Sequence, residues 1–280
     1  MPGPVLIRGG GEMATGVASV LHRAGFAVAV TERAHPRAIR RTVAFAQAVF
    51  SGQVEVEQIR ARAVEPGEVL AAWSGGEIPV VVDPKAVLRK TIDFGVVVDA
   101  LLSKSNAGGT ALDWAPLVIG LGPGFLAGRD CHLVVETNRG HNLGRHYDRG
   151  AAEPDTGTPG DLGGQTRSRI LHAPADGTVQ PVAEIGALVQ IGDPLATVAG
   201  RVVAAPFAGV LRGIMALGTE VARGEKIGDV DPRGRPEFCR LISEKARMIG
   251  LGVLAAMLWW DAGRPLPLPP NPNLGTPSPG

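Results

Sequence analysis

The sequence predicts an α/β domain followed by a small all-β barrel or sandwich that is built from two copies of a 32-residue unit. In the first 166 residues, short apolar segments alternate with amphipathic ones, which is the pattern of strands joined by helices. Residues 167–233 repeat their own pattern at a spacing of 32 positions. The 39 glycines, the 23 prolines and an aromatic content of only 4% exclude a helical bundle or a coiled coil.

The predicted elements of the first domain follow one another along the chain. Their apolar runs predict strands that are buried on both faces, as in a parallel sheet covered by helices. Strands are predicted at residues 5–8, 26–31, 54–64 (as one or two strands), 78–82, 95–101, 117–120 and 132–136. Helices are predicted at residues 12–23, 39–49 and 67–73.

A glycine-rich turn joins the first predicted strand to the first predicted helix. Gly9, Gly10 and Gly11, followed by Ala14, satisfy the pattern G-x-G-x-x-G/A, in which backbone N–H groups at a helix N-terminus approach a phosphate. Glu32 closes the second predicted strand, where an acidic side chain commonly meets a ribose hydroxyl. The pattern predicts a Rossmann-like crevice for a nucleotide or a pterin nucleotide. The alternative is a turn that only packs the helix on the sheet.

Later strands of this domain are also followed by candidate ligand groups. Gly122 and Gly124 form a second glycine turn, which suits a phosphate or a plain loop. Arg139, His141 and Arg145 lie in a segment of glycines, prolines and small polar residues that reaches Thr166, and its length indicates a functional loop or a linker. Three such side chains suit a polyanionic ligand, and scattered surface polarity is the alternative. Weaker candidates are Arg37, Arg40 and Arg41 and the crevice residues Asp99, Lys104 and Asn106.

The spacing of the polar residues predicts no catalytic arrangement of the Ser-His-Asp, paired-carboxylate or P-loop kind. Cys239 is the one catalytic candidate, because the basic residues Arg240 and Lys245 close to it in the sequence could lower the pKa of its thiol. No spacing of histidines, cysteines and acidic residues matches a zinc or iron site, so no metal is expected.

The second domain carries the internal repeat. Ala173-Pro174 recurs as Ala205-Pro206 at a spacing of 32 positions. At the same spacing, Gly177, Gly186, Val189, Gly192 and Val198 recur as Gly209, Gly218, Val221, Gly224 and Val230. These patterns resemble the biotinyl/lipoyl-type barrel-sandwich hybrid. The hairpin between the two copies has no lysine for covalent attachment, so neither biotin nor lipoate is expected.

The chain is therefore divided into four predicted segments. A Rossmann-like domain with its loop spans residues 1–166, and the β-barrel spans residues 167–233. Residues 234–262 contain a helix with Ser243 as its N-cap, and residues 263–280 form a proline-rich tail that we expect to be disordered.

Net charge, hydropathy and cysteine content indicate which partners and which cellular compartment to expect. The net charge of +1 disfavours nucleic acid or an anionic membrane surface as the main partner. The longest apolar run, residues 248–260, has 13 residues, fewer than the ~20 that a membrane span needs. No signal-peptide pattern opens the sequence and only two cysteines are present, which predicts a cytoplasmic protein.

Six sequence segments, in order across residues 4–258, resemble the YqeB family. They are VLIRGGGEMATGVA, AIRRTVAFAQAVFSGQVEVE, APLVIGLGPGFLAG, ETNRGHNLGR, DTGTPGDLGG and ISEKARMIGLGVLAA. YqeB proteins are accessory proteins of selenium-dependent molybdenum hydroxylase systems and are distantly similar to the XdhC proteins that handle molybdenum cofactor. On this resemblance, Gly9, Gly11 and Ala14 match the family's glycine turn, and Glu12 stands where aspartate is common. Its RGHNLGR stretch is matched by Arg139, His141 and Arg145.

The resemblance implies a maturation role for a molybdenum hydroxylase of the xanthine dehydrogenase type. It implies that the crevice binds molybdenum cofactor (molybdopterin) or a nucleotide, that the target hydroxylase is the partner, and it leaves a homo-oligomer open. Two other functions stay open. An NAD(P)-dependent oxidoreductase would use the same glycine turn with Glu32 on the ribose. A non-catalytic scaffold would dock the hydroxylase through the barrel and the helix at residues 249–260.

Overall fold

The structure, a computed structural model, describes residues 3–157, 160–264, 267–268 and 271–273. The described chain forms one nine-stranded mixed sheet and two four-stranded antiparallel sheets. It also forms the helices α1 (Glu12–Arg23), α2 (Ala48–Ser51), α3 (Val69–Ser74) and α4 (Glu244–Asp261).

The nine-stranded sheet has the strand order β3-β4-β5-β2-β1-β6-β7-β8-β9. Its strands are β1 (Val5–Arg8), β2 (Val28–Glu32), β3 (Gln53–Val56), β4 (Ile59–Ala63), β5 (Ile78–Val82), β6 (Val96–Asp99), β7 (Leu117–Leu121), β8 (Leu133–Val135) and β9 (His146–Tyr147). The strands from β4 to β8 are parallel, and β3 and β9 add an antiparallel edge on either side.

The two faces of this sheet are covered differently. On one face, α1 and α4 pack over side chains such as Ile7, Val30 and Val98. On the other face, residues such as Leu6 and Val97 are covered by the one-and-a-half-turn helix α3, by single-turn 3-10 helices and by loops. Apolar strands require that both faces be buried, but burial does not require helices on both.

The predicted fold class, a Rossmann-like domain plus a small all-β barrel-sandwich, is therefore wrong. The structure has a large mixed sheet with few helices, of which only α1 and α4 exceed two turns. The helix predicted at residues 39–49 is replaced by two 3-10 turns and the four-residue α2. The apolar strands predict helices on both faces of the sheet, whereas loops and short turns cover one of them.

The eight remaining strands form two antiparallel sheets, in the orders β10-β17-β15-β12 and β14-β13-β11-β16. They are β10 (Ile170–His172), β11 (Gly177–Pro181), β12 (Leu188–Val189), β13 (Pro194–Val198), β14 (Arg201–Ala204), β15 (Gly209–Ile214), β16 (Glu220–Val221) and β17 (Lys226–Asp231). The 32-residue spacing relates β11, β12 and β13 to β15, β16 and β17. Each copy donates its middle strand to the other copy's sheet, since β12 pairs with β15 and β16 pairs with β11.

Helices α1 and α4 pack at very short range. A Cβ atom on Gly16 would lie 2.4 Å from the carbonyl oxygen of Ala246, and one on Gly250 would lie 2.6 Å from the carbonyl oxygen of Gly16. Ser243 is the N-cap of α4, as predicted, and its hydroxyl accepts a hydrogen bond from the Ala246 N–H at 3.3 Å. This packing places the N-termini of α1 and α4 beside each other.

The β-strand pair β15/β17 approaches the same helix ends. A Cβ atom on Gly213 would meet the carbonyl oxygen of Ile39 at 2.7 Å, and Arg41 donates from Nε to the carbonyl oxygen of Ile214 at 2.9 Å. Arg37 donates to the carbonyl oxygen of Glu220 at 2.8 Å and pairs with Glu225. Arg37 and Arg41 thus join the segment that follows β2 to the two four-stranded sheets.

Much of the predicted proline-rich tail, residues 265–266, 269–270 and 274–280, lies outside the described residues. Within the described part, Asn271 is buried and donates to the carbonyl oxygens of Arg149 and Ala151 at 2.7 and 3.1 Å. None of the described helices has both the length and the hydropathy of a membrane span. The four-segment division of the chain stays a prediction.

Candidate functional site

The predicted glycine turn lies at the carboxyl end of β1 and leads into α1. Two of its N–H groups are engaged, because Gly9 donates to the carbonyl oxygen of Thr31 at 2.8 Å and Gly10 donates to Glu32 Oε2 at 2.9 Å. No side chain caps α1 at Gly11, and a Cβ atom there would have nothing within 4 Å. The first turn of α1 therefore keeps backbone donors and open space in front of it.

Glu12, the first residue of α1, connects this turn to two other parts of the chain. Its carboxylate forms an ion pair with Arg40 and accepts a hydrogen bond from the Ser243 N–H at 3.3 Å. Arg40 is buried and also donates to the carbonyl oxygens of Phe238 and Leu241 at 2.7 and 3.1 Å. Arg40 therefore serves the junction between α1 and the segment that precedes α4.

The N-terminus of α4 carries the next charges. Glu244 forms an ion pair with Arg139, the first of the three predicted loop cations. Lys245 is half-buried beside them and makes neither a hydrogen bond nor an ion pair with any described residue. Burial, and then the positive charge of Arg139, lowers the pKa of the Lys245 amine from its ordinary value.

Charged side chains in β15 and β17 face the same region. Arg169 donates from Nη1 to both carboxylate oxygens of Asp229 at 2.6 Å, and Arg233 donates to Asp231 at 2.7 and 2.9 Å. Arg212 on β15 lies among them, and its charge acts on Glu244, Glu12 and Arg40 as well as on the two aspartates.

We refer to these residues as the charged cluster. Its members are Glu12, Arg40, Arg139, Arg169, Arg212, Asp229, Asp231, Arg233, Glu244 and Lys245.

Arg212 is the exceptional member of the charged cluster. It is 7% exposed, its Nε is buried without a hydrogen-bond partner, and neither terminal nitrogen is hydrogen-bonded to a described residue. Its nearest carboxylate oxygens belong to Asp229 and Asp231, at 3.8 and 3.9 Å, and each of these is already hydrogen-bonded to another arginine. Burial is the main cause that lowers the pKa of Arg212. A buried guanidinium without hydrogen bonds is costly unless an anion completes it.

The loop after β8 is held in place by the carboxylates of Glu136 and Glu153, of which Glu153 accepts from the side-chain amides of Asn138 and Asn142 at 2.6 and 2.8 Å. Glu136 is fully buried and accepts the N–H groups of Thr137, Asn138 and Glu153, each at 2.7 Å. Burial raises the pKa of Glu136, while its backbone donors act in the opposite direction. This frame presents Arg139 to the charged cluster.

The remaining predicted ligand residues have other surroundings. His141 and Arg145 are exposed, and neither pairs with a member of the charged cluster. The Glu32 carboxylate accepts the N–H groups of Gly10 and Arg33, which ties it to the turn.

The second glycine turn packs against neighbouring loops. A Cβ atom on Gly122 would lie 2.5 Å from Thr137 Oγ1, and one on Gly124 would lie 2.7 Å from the backbone nitrogen of Ser105. The weaker crevice candidates also have partners within the chain. Asp99 accepts hydrogen bonds from Arg8 and Thr110. Lys104 pairs with Asp155, and Asn106 bonds to the backbone of Thr110. Among the predicted residues, the structure brings Gly11, Arg40 and Arg139 to the charged cluster.

Both cysteines have surroundings that oppose reactivity. Cys131 is fully buried and burial raises its pKa to about 12, while Cys239 is 1% exposed and burial raises its pKa as well. We expect iodoacetamide at pH 8 to label neither thiol in the native protein within the time that labels both in denaturant, because the thiolate is the nucleophile. Peptide mass spectrometry would measure this. Rapid native labelling of Cys239 would contradict it and would restore Cys239 as a catalytic candidate.

Sequence reasoning missed Arg212, Arg169, Asp229 and Asp231 as site residues. For Arg212, Asp229 and Asp231 the signal is a charge in a strand that is otherwise apolar, in GVLRGI and KIGDVD. In the sequence, Lys245 stands out only as a basic residue near Cys239. No group of three or more histidine, cysteine, aspartate or glutamate side chains suited to a metal ion occurs in the described ranges.

The chain is similar in sequence to the uncharacterized protein YqeB of Escherichia coli strain K12. The two are 47% identical over 255 residues, which cover 91% of this chain and 47% of YqeB. The chain thus spans about half the length of the curated relative that it matches. No protein-family model matches the chain.

Two solved structures show only a distant likeness. The ectoine utilization protein EutE (DoeB) of Ruegeria pomeroyi is 13% identical, with a TM-score of 0.26 over 82% of this chain and 86% of that one. An aspartoacylase family protein of Mesorhizobium loti is 14% identical, with a TM-score of 0.25 over 81% and 85% of the two chains. Scores this low carry no inference about fold or function.

Proposed function

The chain is a relative of the YqeB proteins, and from this premise we propose that it is an accessory protein in the maturation of a selenium-dependent molybdenum hydroxylase of the xanthine dehydrogenase type. It acts in the cytoplasm, consistent with its two unpaired cysteines. We place its ligand, molybdenum cofactor or a nucleotide, at the charged cluster. The chain spans only about half of YqeB. For that reason the partner, the target hydroxylase, is also a proposal.

The observation that carries the ligand site is Arg212. Buried polar groups in folded proteins are hydrogen-bonded, and a buried arginine without hydrogen bonds calls for an unrecorded partner. The guanidinium presents paired N–H donors that match a phosphate or a carboxylate. The charges that act on it include Glu12 in the first turn of α1, where the backbone donors are also uncapped.

The residues fit the anionic part of the proposed ligand. Molybdopterin and nucleotides both carry phosphate, and a phosphate at Arg212 would satisfy its free N–H groups. When bound, the cofactor would supply the pterin and the metal chemistry of the hydroxylase. This chain's residues would hold the phosphate, exclude water from it and keep the cofactor oriented for transfer.

The test is ligand retention and titration with the full chain. Native mass spectrometry of the protein as isolated, followed by titration with molybdopterin and with nucleotides, should reveal one bound ligand. We expect Arg212→Gln to weaken its binding at least tenfold, because a charge-assisted bidentate contact contributes about 1.5–3 kcal/mol. Arg201→Gln, which changes an exposed arginine on β14, should bind as the wild type does.

Three outcomes would reject this function. If the protein retains no such ligand and gains none on titration, the proposed ligand-binding function is wrong. A rise in melting temperature with NAD(H) alone would favour the NAD(P)-dependent oxidoreductase instead. Recruitment of a hydroxylase that is unchanged in Arg212→Gln, with no ligand bound, would favour the scaffold.

A further inference from the structure

Lys245 stands at a position that stability does not explain. It is the second residue of the 18-residue helix α4, next to Ser243 and Glu244. The first turn of a helix favours negative charge, because the helix dipole and the free N–H groups make this end positive. A half-buried lysine there, with neither a hydrogen bond nor an ion pair among the described residues, is unfavourable unless a ligand anion joins it.

When each carboxylate of the charged cluster is assigned the arginine that it contacts most closely, Lys245 and Arg212 have no carboxylate of their own. Every carboxylate of the charged cluster already has an arginine of its own. The pairs are Glu12 with Arg40, Glu244 with Arg139, Asp229 with Arg169 and Asp231 with Arg233. Positive groups in the charged cluster therefore outnumber negative ones by two, and Arg212 shares Asp229 and Asp231, at 3.8 and 3.9 Å, with the arginines that are hydrogen-bonded to them. Lys245 lies two residues after Ser243, whose N–H donates to Glu12 at 3.3 Å. Leu211, next to Arg212, accepts a hydrogen bond from Cys239 Sγ at 3.8 Å, and Cys239 belongs to the segment that holds Arg40, the partner of Glu12. These contacts place Arg212 and Lys245 at the same end of α1.

We propose that Arg212 and Lys245 together bind one phosphomonoester dianion. This inference rests on the proposed function and names the part of the ligand that the site recognises. The two positive charges match the two negative charges of a terminal phosphate. The guanidinium supplies the buried, fixed donors and the ammonium closes the site from α4.

Binding at this site favours the protonated form of Lys245. The groups that face Lys245 are Arg139 and Glu136 from the loop after β8, Glu12 from α1 and Asp155 from the loop that follows β9. Burial and the positive charge of Arg139 lower the pKa of Lys245 in the free protein. A bound dianion raises that pKa, because it favours the ammonium form, so we expect the proposed site to take up protons from the buffer as the ligand binds.

Calorimetry with phenyl phosphate tests the proposal in the full chain. Titrations at pH 8, in buffers that differ in ionisation enthalpy, measure affinity and proton uptake together. We expect Lys245→Met and Arg212→Gln each to weaken binding at least tenfold. We expect Lys245→Arg to bind well without proton uptake, because arginine stays protonated. Lys85→Met, at an exposed turn after β5, is the matched control and should behave as the wild type does.

The outcomes separate this site from the proposed function. Phenyl phosphate binding that Lys245→Met leaves unchanged, or proton uptake that persists in Lys245→Arg, would overturn the two-cation site. Binding of inorganic phosphate but not of phenyl phosphate would overturn the monoester assignment. Loss of phenyl phosphate binding in both variants would support the site even if neither molybdopterin nor a nucleotide binds. Circular dichroism melting of each variant confirms that it is folded.

Discussion

Replacing Gly16 by valine is expected to separate α1 from α4 and to destabilise the protein severely. Even a Cβ atom at this position would lie 2.4 Å from the carbonyl oxygen and 2.6 Å from the carbonyl carbon of Ala246, which are backbone atoms that cannot rotate away. The helices would have to part, which would disturb the buried contacts of Ile249 and Val253. We expect a loss of about 3 kcal/mol or more in the free energy of unfolding, at the upper end for overpacking.

Gly16→Ala and Gly67→Ala form a matched pair for this prediction. Both add one methyl group, but a Cβ atom on Gly67 would have nothing within 4 Å and its φ is not positive. Urea unfolding should therefore show a clear drop in midpoint for Gly16→Ala, a larger one for Gly16→Val, and little change for Gly67→Ala. Equal midpoints for the two alanine variants would show that α4 is not seated on α1 as described.

The elements that the sequence predicts well are those with local signals. Helix α1 has the predicted bounds, and Ser243 caps α4 because a cap acts within one turn. Strand β5 matches its apolar run of five residues. The failure concerns how the sheet is covered, since loops that bury its second face have no periodicity in the sequence. The same holds for residues 39–49, where 3-10 turns replace a helical pattern.

The charged cluster, too, is only partly predictable from the sequence. The uncapped turn at Gly11 follows from local sequence, because glycines and a helix start stand side by side. The pairing of Arg40 with Glu12, and the approach of Arg212, join residues that are far apart in the chain. No spacing rule predicts such contacts. Only the presence of an arginine in a buried strand indicates that Arg212 has a partner elsewhere.

Replacing Asp229 by asparagine is expected to be the most damaging change within the charged cluster. Asp229 is 4% exposed and accepts two hydrogen bonds from Arg169, which is itself 6% exposed. Asparagine keeps the shape but leaves both Arg169 and Arg212 as buried cations without their nearest carboxylate. Breaking a buried pair by removing one partner costs about 3–5 kcal/mol, and urea unfolding should show a loss of that size.

Two comparisons make the Asp229 result interpretable. Arg169→Gln should cost a similar amount, and the double variant should lose much less than the sum, because the two changes remove one shared interaction. Glu237→Gln removes an exposed partner of Arg235 and should leave the unfolding midpoint unchanged within error. Additive losses for Asp229 and Arg169 would mean that they do not act as a pair.

Stability and ligand binding should respond to Asp229→Asn in opposite directions. The nearest Asp229 oxygen lies 3.8 Å from Arg212, so its charge offsets part of the positive charge that we assign to phosphate binding. Without that charge, positive groups in the charged cluster outnumber negative ones by three. We therefore expect the folded variant to bind phenyl phosphate at least as tightly as the wild type, measured by calorimetry at low temperature. Weaker binding by a variant that is still folded would mean that Asp229 orients Arg212 toward the ligand, rather than competing with the ligand for it.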